Sequence, residues 1–140
     1  MKQTILSLLL FSALHAGAQN KIIARVTGFE NSDGVCRACL YTNASALNKE
    51  TPYQCVEAKV NNKTSQVEFT NVPDGEYAII VLHDANNNHK MDKNFLGIPK
   101  EGYGASRNKL PFAAAPGYDD NKFAVNNSST VTITIRLRNL

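Results

Sequence analysis

Oxygen-bearing side chains alternate along one short polar segment, Asp84-Ala-Asn86-Asn-Asn88-His-Lys90-Met-Asp92. Counted from Asp84, they occupy positions 1, 3, 5 and 9, and the backbone carbonyl of Lys90 stands at position 7. Calcium is a hard cation that takes about 6–8 oxygen ligands, and a tight loop with a ligand at every second residue can point them inward. The spacing therefore predicts a calcium-binding loop formed by Asp84, Asn86, Asn88, Lys90 and Asp92.

Two positions depart from the helix–loop–helix calcium motif. His89 stands where that motif has an invariant glycine, and Phe95 stands where it has a bidentate glutamate. A strand pattern also precedes the segment, so further ligands are expected from Glu101, Asn94 or water. With only two carboxylates in the segment, the affinity for calcium should be modest. The alternative is that the Asp and Asn side chains only turn the backbone by bonding to neighbouring N–H groups.

A second set of polar residues, His83, Asp84, Glu101 and Ser106, could support hydrolysis. A histidine beside a carboxylate and a hydroxyl can do acid–base or nucleophilic work. The chain has no Gly-x-Ser-x-Gly, His-Glu-x-x-His or phosphate-loop motif, so a non-enzymatic role is favoured over a small hydrolase. For His83 two interpretations stay open: its ring bonds a backbone carbonyl at the strand end, or it binds a metal.

The glycine-rich segment at residues 97–104 has the composition of a ligand-binding loop. Tyr103 would form an exposed aromatic platform, and the glycines would permit close backbone approach. Such platforms stack on sugar rings, so a carbohydrate-binding accessory module is an alternative function; otherwise the segment is a rigid surface loop folded back over the sheet. The predicted ligand-binding residues are His83, Glu101 and Tyr103, and the expected partner is a protein or a glycan.

Residues 1–18 have the organisation of a cleavable signal peptide. Lys2 gives a positive start, residues 5–14 are almost entirely apolar, and Ala16-Gly17-Ala18 offers small residues for cleavage after Ala18. The apolar run is shorter than the ~20 residues that a membrane-spanning helix needs, and no cysteine follows it for lipid attachment. The sequence predicts an exported, periplasmic or secreted protein that does not span a membrane, with residues 19–140 as one domain.

The charge pattern argues against nucleic acid as a partner. The formal net charge of the whole chain is only +3. The basic residues are scattered, and Arg136 and Arg138 alternate along a strand pattern instead of forming a basic stripe. A monomer without a nucleic-acid partner is expected.

Three cysteines, Cys36, Cys39 and Cys55, lie in a chain expected to reach an oxidising compartment. Cys36 and Cys39 are three residues apart on a predicted strand, where successive side chains point to opposite faces. They are not expected to bond to each other, so Cys55 should pair with one of them. The predicted disulfide is Cys39–Cys55. A redox role for Cys36 and Cys39 is the less favoured alternative.

Short runs of β-branched and aromatic residues alternate with turn residues along the chain. The predicted strands cover residues 21–27, 34–41, 56–60, 66–70, 76–83, 121–125 and 129–137. Pro73-Asp-Gly75 is predicted to form a hairpin turn into a strand that is apolar on both faces and should be central in a sheet. Residues 84–115 form one long loop. The expected fold is an all-β sandwich of about six to eight strands.

Three motifs carry a family resemblance: Phe69-x-x-Val72-Pro73-x-Gly75-x-Tyr77-Ala78, then His83-Asp84-x-Asn86-x-Asn88-x-x-Met91-Asp92, then residues 97–104 with Ser106. From about residue 21 onward the chain resembles the DUF2141 family of exported bacterial domains. The resemblance implies an envelope or secreted protein with an immunoglobulin-like or prealbumin-like β-sandwich and no established activity. The Pro-x-Gly-x-Tyr turn is similar to those of transthyretin-like and carboxypeptidase-regulatory domains, which are usually accessory. The three cysteines depart from the family pattern.

Overall fold

The computed structural model describes residues 19–112 and 114–140, so the predicted signal peptide at residues 1–18 lies outside the described residues. The described chain forms eight strands and two short helices. In chain order they are β1 (Asn20–Thr27), β2 (Val35–Tyr41), α1 (Ala44–Asn48), β3 (Gln54–Lys59), β4 (Thr64–Val72), β5 (Gly75–Asp84), β6 (Tyr103–Ala105), α2 (Tyr118–Asn121), β7 (Phe123–Val125) and β8 (Thr130–Arg136). Within the described ranges, no helix is long and apolar enough to cross a membrane.

The strands form two sheets. One has three strands in the order β4-β1-β8, and the other has five, in the order β3-β2-β5-β6 with β7 paired to the beginning of β5. In β1 the side chains of Ile22, Ala24 and Val26 are fully buried, while Arg25 and Thr27 between and beyond them face solvent. This period of two gives each sheet one apolar face, and these faces share one core. The all-β class predicted from the sequence is confirmed.

The hairpin predicted at residues 73–75 is wrong. β4 pairs with β1 and β5 pairs with β2, so the link at Pro73 and Asp74 crosses from one sheet to the other. The tight hairpin turns need a positive φ at their first central residue, whereas proline holds φ at about −65°. Asn20 holds the crossing in place, because its amide donates to Val72 O at 2.9 Å and to Asp74 Oδ1 at 2.8 Å.

β5 is the central strand of the five-stranded sheet, as its two apolar faces predicted. It pairs with β2 along one edge and with β6 and β7 along the other. On one face Tyr77, Ile79 and Val81 point into the main core. On the opposite face a second buried cluster is formed by Tyr41, Ala78 and Tyr118. The second face is therefore covered at Ala78, while Ile80 and Leu82 on that face are half-buried.

Two short helices, which the sequence analysis did not predict, flank the second cluster. Asn43 caps α1 by accepting a hydrogen bond from Ala46 N at 2.8 Å. At the start of α2, the Tyr118 hydroxyl lies 2.9 Å from the carbonyl oxygens of both Thr42 and Glu76. The helices are five and four residues long, which is too short to show the 3.6-residue period on which helix prediction depends.

β8 forms one edge of the three-stranded sheet and runs parallel to β1. Ile135 is fully buried while Thr134 and Arg136 are exposed, so one face of this strand is buried and the other faces solvent. At the outer edge of β8, the Asn108 amide donates to Thr134 O at 3.1 Å and accepts from Arg136 N at 2.8 Å. A side chain thus makes the two bonds that a neighbouring strand would otherwise make.

A disulfide joins Cys39 to Cys55, which face each other directly on β2 and β3. Cys36 is fully buried in the main core on the other face of β2, so the alternation of side chains separates it from Cys39. Burial raises the pKa of the Cys36 thiol to about 12, an effect that a hydrogen bond with Ser65 partly opposes.

We predict that the folded protein resists alkylation at Cys36. The thiolate is the reactive form of cysteine. At a pH of 9.0, which equals the ordinary pKa of a thiol, a group with a pKa of about 12 is ionised in roughly one molecule in a thousand. Iodoacetamide followed by intact-mass measurement should give no adduct on the native chain. Unfolding without reductant should expose one thiol and give a single adduct. Rapid alkylation of the native chain would contradict the buried position.

Candidate functional site

The candidate site lies in the β5–β6 loop, residues 85–102. β5 and β6 are antiparallel neighbours, and His83 N donates to Gly102 O at 2.8 Å, which holds the two ends of the loop together. The single long loop predicted over residues 84–115 is therefore interrupted by β6. A strand of three residues that contains a glycine is too short to reveal itself by alternation.

Asp84, the last residue of β5, organises the first half of the loop. Its side chain is fully buried. One carboxylate oxygen accepts from Asn88 N at 3.0 Å, and the other accepts from His89 N at 2.8 Å. These bonds offset the cost of burying a charge, and they fold the loop back toward the strand end.

The side chains of Asn86, Asn88 and Asp92 meet inside this fold of the loop. The Asp92 carboxylate accepts from Asn86 Nδ2 at 2.6 Å and from Asn88 Nδ2 at 3.0 and 3.1 Å. The amide oxygens face the backbone, since Asn86 Oδ1 accepts from Asn88 N at 3.2 Å and Asn88 Oδ1 accepts from Lys90 N at 2.9 Å. One network thus connects the five residues predicted from their spacing, with Asp84 joined to it through Asn88 N.

Glu101 joins the same network from the returning side of the loop. Its side chain is buried, with Oε1 accepting from Ala85 N at 3.2 Å and Oε2 accepting from Asp92 N at 3.0 Å. One carboxylate therefore fixes the backbone at Asp92 relative to the end of β5. Of the candidates named to complete the calcium shell, Glu101 is the residue that the structure places beside Asp92.

Asn94, the other side chain considered for the calcium shell, lies apart from this network. Its Oδ1 accepts from Leu96 N at 2.9 Å and from Ile98 N at 3.0 Å. The side chain therefore closes a turn at the far end of the loop. The expectation that Asn94 completes the shell is not supported, because this turn has no hydrogen bond to the side chains of the Asp84–Asp92 network.

Three residues that the sequence analysis missed attach the loop to the sheet. Arg37 and Glu57 are opposite each other on β2 and β3, and Arg37 Nη1 donates to Glu57 Oε1 at 2.5 Å. The same Glu57 oxygen lies 2.9 Å from His89 Nδ1 in the loop. The three are far apart in the sequence, so only knowledge of the β2–β3 register could have revealed the group.

His83 is not presented to a ligand, contrary to its place among the predicted ligand-binding residues. Only 3% of the residue is exposed, and its Nε2 lies 2.8 Å from Asp33 O. The ring meets Phe29 edge to face, with the centroids 5.0 Å apart. These contacts agree with the alternative in which the ring bonds a backbone carbonyl at the strand end.

Tyr103 is not the exposed aromatic platform that was expected. It lies in β6 with only 6% of its surface exposed. Its backbone exchanges hydrogen bonds with Arg138, at 3.0 Å from Tyr103 N to Arg138 O and 2.8 Å from Arg138 N to Tyr103 O. The exposed aromatic side chain of the loop is instead Phe95, at 95% exposure. In the sequence, only the turn residues beside Phe95 indicate that this side chain is exposed.

The structure does not assemble the hydrolase set of His83, Glu101 and Ser106. Ser106 Oγ accepts from Ile79 N at 3.0 Å and donates to Asn121 O at 2.5 Å. Ile79 and His83 are four residues apart on β5, which separates their Cα atoms by about 13 Å. Both Glu101 oxygens accept from backbone N–H groups. Each of the three side chains therefore has a separate structural contact.

In the ranges that the structure describes, no three His, Cys, Asp or Glu side chains are grouped so that they could hold a metal ion. The predicted calcium set is of another kind, because it combines carboxylates with amide and backbone oxygens.

Comparison with known proteins supports the resemblance seen in the motifs. Residues 24–134 match the family described as an uncharacterized protein conserved in bacteria (DUF2141). The chain belongs to the DUF2141 family. The match reaches from β1 into β8 and includes the whole β5–β6 loop. No curated protein and no solved structure matches this DUF2141 chain.

Gly34 packs against the end of β5, and this DUF2141 chain should not tolerate a side chain there. Its φ is +61°, and an added Cβ would overlap Asp84 O and the backbone of Ala85. Gly34→Ala is expected to lower the free energy of unfolding by more than about 2 kcal/mol. Gly97→Ala is the matched control, since φ is +78° with nothing within 4 Å, and should cost about 1 kcal/mol. Equal losses in urea denaturation would contradict this packing.

Replacing Glu101 by Gln should loosen the loop. The new amide NH₂ would face either Ala85 N or Asp92 N, so one buried N–H would lose its acceptor, at a cost of about 1–3 kcal/mol in the free energy of unfolding. The control is Glu68→Gln, because Glu68 forms an exposed ion pair with Lys21 at 2.6 Å. That change should cost less than about 1 kcal/mol. If urea denaturation shows equal effects, the Glu101 carboxylate does not hold the loop.

Proposed function

We propose that this chain is an exported, non-enzymatic binding module with an immunoglobulin-like or prealbumin-like sandwich. In this proposal it acts as a monomer in the periplasm or outside the cell, and its β5–β6 loop binds calcium and presents the outer part of the loop to a partner. The observation that carries the proposal is the convergence of the Asp84, Asn86, Asn88, Asp92 and Glu101 side chains in one network.

Export is supported by two independent features. Residues 1–18 have the composition of a signal peptide. The Cys39–Cys55 disulfide is of the kind that persists in oxidising compartments. Neither feature distinguishes the periplasm from the exterior, so the proposal includes both.

The oxygen inventory of the loop favours calcium over other divalent cations. Asp84 and Asp92 supply carboxylates, Asn86 and Asn88 supply amide oxygens, and Lys90 supplies a backbone carbonyl. Such an all-oxygen set of flexible geometry suits calcium, whereas zinc prefers nitrogen and sulfur ligands.

Calcium binding would require the two asparagine amides to turn over. At present the Nδ2 groups of Asn86 and Asn88 face the Asp92 carboxylate. A half-turn of each amide exchanges nitrogen for oxygen, and it would direct both oxygens toward the space beside Asp92. An amide oxygen that faces a carboxylate is repelled by it when no cation is present. A cation between the two attracts both oxygens. The same half-turn removes the amide oxygens from the backbone, so Lys90 N loses its acceptor and Asn88 N keeps only Asp84 Oδ1.

The proposal predicts that calcium stabilises the fold. With residues 19–140 in EDTA and then in calcium at about 100 times the dissociation constant, linkage gives about 2.7 kcal/mol of added stability. For a domain of this size the melting midpoint should rise by about 8–15 °C. Asp92→Asn removes one charged ligand and should abolish most of the rise.

Asp119→Asn is the matched control for that experiment. Asp119 is an exposed carboxylate on α2, where it pairs with Lys122 at 3.4 Å, away from the loop. This variant should retain the full calcium-dependent rise in melting temperature. An unchanged midpoint in the unmodified chain would leave the loop held by its own hydrogen bonds and would refute the calcium part of the proposal.

A further inference from the structure

The outer part of the β5–β6 loop is a small hairpin, residues 92–100, which we call the tip hairpin. Lys100 N donates to Asp92 O at 2.8 Å, and Lys93 and Pro99 form an antiparallel bridge. Asn94 N donates to Ile98 O at 2.9 Å, and the Asn94 side chain bonds two more N–H groups of the turn. The tip hairpin is therefore held by its own hydrogen bonds, independently of any cation at Asp84 or Asp92.

The tip hairpin presents three large apolar side chains to solvent. Phe95 is 95% exposed, Leu96 is 68% exposed and Ile98 is 42% exposed. They fall within four consecutive residues, and Gly97 with φ +78° makes the sharp turn between them. A rigid turn that keeps three adjacent apolar side chains out of the core is the kind of exposed patch that marks an interaction surface.

Lysines surround these apolar side chains. Lys90, Lys93 and Lys100 are all exposed, whereas the two acidic residues beside them, Asp92 and Glu101, are half-buried and buried. In the part of the chain that the structure describes, none of the three ammonium groups forms an ion pair. The tip thus combines an apolar end with three exposed ammonium groups at its base, where the Asp92 carboxylate is half-buried and accepts hydrogen bonds from Asn86 and Asn88.

We propose that the tip hairpin docks on an anionic lipid surface. Phe95, Leu96 and Ile98 enter the boundary between headgroups and acyl chains, and the three lysines contact lipid phosphates. The inference deepens the proposed binding role of the loop by naming the partner, and it rests on that role. It does not require calcium, because the hydrogen bonds of the tip hairpin are its own.

The shape of the tip favours a bilayer over a protein or a sugar. A stable protein–protein interface takes about 800 Å² from each partner, whereas three side chains on a protruding turn need a matching cleft to approach that area. A bilayer has no fixed shape and accepts a narrow convex tip. A sugar site would need free hydrogen-bonding groups beside the aromatic ring, but the side-chain oxygen of Asn94, next to Phe95, already accepts from Leu96 N and Ile98 N. The exposed lysines at the base of the tip hairpin complement anionic headgroups directly.

The test is vesicle co-sedimentation of residues 19–140, in EDTA and in calcium. The probes are vesicles of phosphatidylcholine alone and of phosphatidylcholine with roughly one third phosphatidylglycerol. We expect binding to the anionic vesicles in both buffers, with much weaker binding to phosphatidylcholine alone. Added salt should weaken the binding, because the lysine contribution is screened.

Two paired variants separate the apolar and charged contributions. Phe95→Ser with Leu96→Ser should weaken the partition coefficient at least tenfold, because burial of one large apolar side chain corresponds to about tenfold in a binding constant. Phe112→Ser is the matched control, since Phe112 is 93% exposed elsewhere, and should change nothing. Lys93→Gln with Lys100→Gln should cost about fivefold for each lysine. The control pair, Lys49→Gln with Lys63→Gln, should leave the partition coefficient unchanged.

Several outcomes would overturn the lipid proposal. Absence of binding to anionic vesicles would do so, as would equal loss on substitution of Phe112. If sedimentation equilibrium shows a dimer that the Phe95 and Leu96 substitutions dissociate, the tip binds a second copy of the chain instead. Calcium melts on the same samples keep the two proposals apart, because a calcium-dependent rise without vesicle binding refutes only the lipid partner.

Discussion

β5 carries apolar side chains on both faces, and the arrangement of the other strands follows from the need to cover both. A large apolar side chain contributes about 1.5–3 kcal/mol when it leaves water, so neither face can stay exposed in a stable fold. The three-stranded sheet covers one face, and the cluster around Tyr41 and Tyr118 covers the other. This is why the link at Pro73 crosses from one sheet to the other: β4 belongs to the three-stranded sheet, which packs against β5.

The apolar character of β5 ends abruptly at Asp84, and this residue determines the loop that follows. A buried carboxylate costs several kcal/mol unless hydrogen bonds replace its water. Asp84 obtains two of them from the backbone of Asn88 and His89, so the chain must turn back at once. Glu101 repeats the device from the other side, with Ala85 and Asp92 as donors. A loop without regular structure is thereby held by carboxylates in place of a sheet ladder.

The sequence predicted the faces of the strands better than their neighbours. Apolar residues at both odd and even positions predicted that β5 is central in a sheet, because a period of two is a local property. Sheet membership is not local, so the link at Pro73 was taken for a hairpin although proline disfavours the tight hairpin turns. In the loop, the side chains of Asp84, Asn86, Asn88 and Asp92 belong to one hydrogen-bond network, and their role as calcium ligands stays a prediction. The burial of His83 and Tyr103 depends on Phe29 and Arg138, distant partners that no local pattern indicates.

The orientation of the two asparagine amides would differ between the metal-free loop and the calcium-bound loop that we propose. In the present orientation their N–H groups neutralise part of the Asp92 charge, while their oxygens accept from Asn88 N and Lys90 N. A cation must compensate for all of these bonds before it contributes net stability, which favours a modest affinity. The tip hairpin takes no part in that exchange, since Asn94 closes it with separate bonds. If the loop binds calcium as we propose, a change of occupancy would not alter the surface that the tip hairpin presents.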